Sequence, residues 1–102
     1  MAIVTPDKFK GKEAFYEKML RLFVKSLPES WPDFNAAVED MENMKVQVHT
    51  IKGTAGNLDV MEVYQCALQF ETSLRNGEPD RFLYNMFVDA CNDMVKSVPP
   101  AE

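Results

Sequence analysis

With 102 residues, 46% of them apolar and 11% aromatic, the chain can bury one core and is too short for two ordinary domains. Its 11 Lys and Arg against 16 Asp and Glu leave a net charge of -5, which argues against the basic stripe that nucleic acids or an anionic membrane surface would demand. No apolar run approaches the roughly 20 residues of a membrane span and no charged-then-apolar leader opens the chain, so a cytoplasmic protein or fragment is expected.

Gly is scarce, Met is frequent and no internal repeat is present, a composition suited to helices. In chain order, Thr5-Pro6-Asp7 reads as the cap and first turn of a short helix ending at Gly11. Apolar residues then recur every three or four positions at Phe15, Met19, Leu22, Phe23, Leu27, Trp31, Phe34, Ala37, Val38 and Met41. Because that phase runs unbroken across Pro28 and Pro32, the pattern predicts one long kinked helix from about Lys12 to Met41. Two helices with a break near Pro28 are the alternative, the second capped by Ser30.

The next helix is expected from Asn43 to about Asn57, with Met44, Val48, Ile51, Ala55 and Leu58 as its buried stripe. Another begins at Asp59, which with Glu62 resembles a capping box, and stops at Asn76-Gly77; its core face is Val60, Val63, Tyr64, Ala67, Leu68 and Leu74. Pro79 introduces the last, with Phe82, Leu83, Met86, Phe87, Ala90, Met94 and Val98 inward and Pro99-Pro100 closing it. Short connections between amphipathic helices imply an all-α, antiparallel up-down-up-down four-helix bundle with a short extra N-terminal helix. We expect one domain over residues 1–102, its core spanning about 5–98. Cys66 and Cys91 fall on apolar stripes and form no CxxC or Cys/His cluster, so free, reduced thiols are expected and a zinc site is not.

One segment departs from what stability alone would select. His49-Thr-Ile-Lys52-Gly53-Thr-Ala-Gly56-Asn places two glycines inside a helical pattern, each costing about 1 kcal/mol relative to Ala. At about 100° per residue, Lys45, Lys52, Gly53 and Gly56 lie within roughly 60° of His49, as does Val46, while the apolar stripe points elsewhere. His49 is thus expected on the solvent side, beside lysines and bare backbone. A neutral imidazole is a nucleophile near neutral pH. Lys52, one turn on, and Lys45 on the preceding turn are placed to offset the charge of an added phosphoryl group. The glycines leave space for another protein to approach. An exposed Val46 beside them suggests a small apolar contact for that protein. Set against this, a lone His is usually a surface or core residue, lysines on a helix are usually just solvated, and a helix glycine can serve close packing.

The run His49 to Leu58 closely resembles the signature of the histidine-containing phosphotransfer (HPt) family, in which the phosphoaccepting His is followed by Lys at the third position and Gly at the fourth and seventh. The resemblance extends to Phe15, Leu22, Phe23 and Leu27-Pro28-Glu29, and to Cys66, Leu68 and Phe70-Glu71. It implies His49 as phosphoacceptor, Lys52 as its charge partner, and Gly53 and Gly56 as clearance for a response-regulator receiver domain. Glu71 stands where members commonly carry Glu or Gln near the histidine, which implies a hydrogen bond to the imidazole; a solvated carboxylate is the equal alternative. Asp59 departs from the family, where many members have Gly, and this is expected to alter only the cap of the following helix.

On this resemblance the chain is a phosphorelay intermediate, taking a phosphoryl group from a receiver aspartyl-phosphate and passing it to another receiver. No nucleotide-binding loop is present, so intrinsic ATP-dependent kinase activity is not expected. No cofactor is expected on the chain itself, and Mg2+ is expected on the partner receiver. Excision from a hybrid sensor kinase and a non-catalytic helical interaction module stay open as alternatives.

Overall fold

The computed structural model describes residues 4–99, and those residues are all-helical, with no strand. A 3-10 turn over Asp7–Phe9 precedes five α-helices: α1 (Glu13–Ser26), α2 (Phe34–Glu39), α3 (Met41–Asn57), α4 (Met61–Arg75) and α5 (Arg81–Ser97). Helix α3 packs most extensively on α4, and α4 on α5. The expected stop at Pro99-Pro100 falls partly outside the described residues, since Pro100 is not among them.

The single kinked helix expected over Lys12–Met41 is two helices. Each of Pro28 and Pro32 removes a backbone donor and pushes its predecessor out of helical geometry, so Leu27 closes α1 in extended conformation (φ -76, ψ 146). The second helix starts beyond both prolines, capped not by Ser30 but by Asp33, whose carboxylate accepts from the Ala36 amide at 2.8 Å. The linker is held by the Tyr84 hydroxyl, which donates to the Pro32 carbonyl at 2.6 Å, while Trp31 packs edge-on against Phe87.

Apolar periodicity in α1 also misleads about its rotation. Of the expected face Phe15, Met19 and Leu22 are exposed, while Phe23 and Leu27 are buried as expected, in an adjacent stripe completed by Tyr16 and Leu20. The two stripes lie about 100° apart on one helix. What selects between them is the Tyr16 hydroxyl, which donates to the Leu58 carbonyl at 2.8 Å and ties α1 to the end of α3, with Phe9 packed at a tilt against the same ring. In α5, likewise, Phe82 and Met86 face solvent while Tyr84 and Cys91 join Phe87, Ala90 and Met94 in the core. The stripe expected for α3 is buried in full: Met44, Val48, Ile51, Ala55 and Leu58. In α4, Val63, Ala67 and Leu74 are buried, and so are Phe70 and Glu71, which were not expected there.

Two helix ends use one hydrogen-bond motif with different residues. At the end of α4 the Glu78 amide bonds the Ser73 carbonyl and the Gly77 amide that of Leu74, with Gly77 at φ +73, where glycine has no steric penalty. At the end of α3 the Val60 amide bonds the Ala55 carbonyl and the Asp59 amide that of Gly56, but the left-handed position is held by Asp59 at φ 56. Asp59 therefore ends α3 rather than capping α4 in a box with Glu62; Val60 is the first flanking residue of α4 and no side chain caps it. The strain is partly offset by an exposed ion pair to Lys8 at 3.2 Å. Asp59→Gly should raise stability by up to about 1 kcal/mol, since a left-handed L-residue costs about that and an exposed pair contributes less. A lower melting temperature in that variant would show the Lys8 pair to be the larger effect.

Both cysteines carry free thiols. Cys91 is fully buried, and burial, with a smaller contribution from nearby Cys66, pushes its thiol up to about 12. Cys66 is half-buried and is raised by burial and by the Glu62 charge. Neither is poised as a thiolate nucleophile. No helix among the described residues is long and apolar enough to cross a membrane.

Candidate functional site

His49 sits on the outward face of α3, about two and a half turns before the tie to Tyr16, with its side chain 63% exposed. Its neighbours Val48 and Ile51 are both buried, so the core fixes the helix rotation that puts the imidazole outside. Facing it from α4 is Glu71, the one charged side chain in the core of the described residues, at 3% exposure. The carboxylate is fully partnered: Oε2 lies 2.8 Å from His49 Nδ1 and 3.3 Å from an Arg75 guanidinium nitrogen, and Oε1 accepts from Lys52 Nζ at 2.6 Å.

A carboxylate can only accept, so this contact places the imidazole proton on Nδ1 and leaves the Nε2 lone pair free. The ring is therefore oriented through one nitrogen and nucleophilic at the other. Burial alone would raise the Glu71 carboxyl, but hydrogen bonds from Lys52 and His49, with the charges of Lys52 and Arg75, outweigh it and hold the group below the usual glutamate range. With a folded value below the unfolded one, the cluster stabilises the fold fully above about pH 4.3 and loses that contribution as pH falls through the folded value. Glu71→Gln should therefore lower the melting temperature at pH 7, and the gap to the parent protein should close on acidification. A gap that stayed constant down to pH 3 would mean that the carboxylate charge contributes nothing.

The sequence-derived site residues do not all converge. Lys52 is present beside His49 but is 18% exposed and directed onto Glu71 rather than outward. Of the two readings of Glu71, the solvated one is overturned by its burial. Lys45 pairs with Glu42 at 3.4 Å, on its own helix and apart from the carboxylate cluster. Val46 is 66% exposed. Gly53 is bordered by open space, with nothing within 4 Å of the place a Cβ would occupy. Gly56 corrects the expectation of clearance: a Cβ there would meet the Tyr64 ring at 3.2 and 3.3 Å, so this glycine makes room for α4 rather than for a partner.

Arg75 escaped the sequence reading. Its signal was present, as a cation four residues after a glutamate on a helix, but such pairs are usually solvated. Among the described residues no three His, Cys, Asp or Glu side chains come together as a metal site would need. A surface groove of about 730 Å3 lies elsewhere, between α1 and the end of α5 around Leu22, Val95 and Val98, and does not include His49.

The Hpt domain family model matches the chain over residues 18–98, which takes in α1 from its second turn, all of the His49 helix and α5. The chain belongs to the Hpt domain family. No curated protein and no solved structure matches it. Hpt domains are phosphotransfer carriers rather than kinases, working in the phosphorelays of two-component signalling with response-regulator receivers, and that is the functional class of this chain. Within the matched span the chain holds a single His, His49, and presents it on exposed helix surface.

Proposed function

We propose that this Hpt domain, its helices arranged as an antiparallel bundle, is a cytoplasmic phosphorelay intermediate that accepts a phosphoryl group on His49 from a receiver aspartyl-phosphate and transfers it to another receiver. The observation that carries this is the pairing of an exposed imidazole with a buried, ionised carboxylate at Nδ1. That pairing leaves Nε2 nucleophilic, and it places a fixed negative charge where the ring becomes cationic once phosphorylated. Lys52 acts on the carboxylate, holding it ionised and in place. Little more is demanded of the carrier, because phosphoryl transfer depends mainly on positioning and electrostatics, and the receiver supplies the acceptor carboxylate and Mg2+. The open surface at Gly53 and the exposed Val46 are the proposed landing area. A non-catalytic interaction module would have no use for a buried carboxylate aimed at an exposed imidazole.

Gly53→Gln separates docking from scaffold. With open space around it, the new side chain meets no neighbour, and replacing a helix glycine by a good helix former should raise stability by up to about 1 kcal/mol. The same side chain stands where a receiver must approach, holding the acceptor beyond the roughly 3 to 3.5 Å that in-line transfer needs. Thermal melts and single-turnover transfer on this one variant test both halves. A destabilised but fully active protein would sink the docking argument.

A further inference from the structure

We propose that the groove between α1 and the end of α5 receives the outer face of α5 from a second copy of this chain, so that the domain associates head to tail.

The groove, of about 730 Å3, has an apolar floor at Leu22, Val95 and Val98 and a rim on α1 formed by Lys18, Arg21 and Lys25. Those three cations are spaced three and four apart, on one helical face, and no acidic residue lines the groove. In a chain of net charge -5 this is a local reversal of sign. Lys18 and Lys25 are exposed and have no ion-pair partner among the described residues. Leu22 and Val95 are left 50% and 41% exposed. A basic rim over an apolar floor fits an acidic amphipathic helix.

Such a helix face is present in the same chain. On α5, Phe82, Met86, Asp89 and Asp93 follow one another at spacings of four, three and four, and all are exposed. They form one stripe, apolar in its first half and acidic in its second, with Phe82 at 69% exposure. Neither Asp89 nor Asp93 has an ion-pair partner among the described residues. The α1 wall of the groove, Ala14 to Lys25, and the stripe, Phe82 to Asp93, each span about 17 Å of helix at 1.5 Å per residue.

Within one molecule the two surfaces cannot meet, because the stripe lies about 150° around α5 from Val95, which lines the groove. The contact is therefore made between copies. It joins two different surfaces, so it is heterologous and does not stop at a dimer. Neither surface includes His49 or Glu71, and each copy in the assembly keeps its imidazole open.

Sedimentation equilibrium of the unaltered chain from about 10 μM to about 1 mM should show an average mass rising past twice the 11.7 kDa monomer. Lys18→Glu/Lys25→Glu breaks the groove, and Phe82→Glu/Met86→Glu breaks the stripe. Each should weaken association at least about tenfold, because like charges then face each other or the apolar contact is lost. Mixed together, the two variants should form a one-to-one dimer that grows no further. The intact stripe of the first fits the intact groove of the second, while the remaining pair of surfaces is acidic on both sides and repels. Added net negative charge alone would not give that dimer. Circular dichroism checks each fold, and if Met86→Glu destabilises the bundle, Phe82→Glu alone serves. An unaltered chain that stays monomeric to about 1 mM or stops at a dimer overturns the proposal. So do variants that associate as the unaltered chain does, or a mixture that forms no dimer.

Discussion

His49→Gln should give a folded protein that accepts no phosphoryl group. The loss is complete because the amide offers no nucleophilic nitrogen in place of Nε2, and the described chain has no second His to substitute. Stability should change by no more than about 0.5 kcal/mol, since the position is exposed and the Gln amide can still donate to Glu71 Oε2 in place of Nδ1. Transfer of label from a phosphorylated receiver, with thermal melts of both proteins, checks the two halves together. Residual label on the variant at the parent's rate would mean that the chemistry lies elsewhere.

Phe70→Ala should have the largest effect on stability, about 3–5 kcal/mol. The ring is fully buried, with centroids 5.2 Å from Tyr84 and 5.9 Å from Phe87, and joins α4 to α5. For a domain of this size such a loss lowers the melting temperature by more than about 12 °C. It should also reach the site, because Phe70 precedes Glu71 and anchors the rotation of α4 that aims the carboxylate at His49. Slower phosphoryl acceptance at a temperature where the variant is still folded is the expected companion result. A melting temperature within about 5 °C of the parent would show that the α4–α5 packing relaxes around the missing ring.

The His49 helix was the most legible part of the sequence. Its stripe of Met44, Val48, Ile51, Ala55 and Leu58 is spaced without ambiguity, and the polar face follows from it, so the exposure of His49 was predictable from local periodicity alone. Helix α1 was not, because Phe15, Met19 and Leu22 offer a stripe as good as Tyr16, Leu20 and Phe23, and the choice between them is made by a tertiary contact, the Tyr16 hydroxyl on Leu58. The break after Leu27 was written in Pro28 and Pro32, but a continuous apolar phase masked it; phase can persist across a linker that is not helical.

In α4 the spacing Val63, Ala67, Phe70, Leu74 was available and fits the buried face better than the stripe through Tyr64 and Leu68. Glu71, four residues after Ala67, falls beside that face, and a carboxylate there is the mark of a partnered buried charge. Its partners come from two helices and its value to the site depends on their convergence, which spacing within one helix does not encode. Gly56 shows the same limit: its neighbour Tyr64 lies on another helix, and only the packing of α3 on α4 reveals what the missing side chain admits.

The most direct test of the central claim is to incubate the chain with a phosphorylated receiver and Mg2+, then locate the transferred group by its chemical stability and by peptide mapping. An acid-labile, alkali-stable phosphoryl group is expected on the peptide carrying His49, absent after incubation with ATP alone. An acid-stable phosphate on another residue, or labelling by ATP without a receiver, would contradict it.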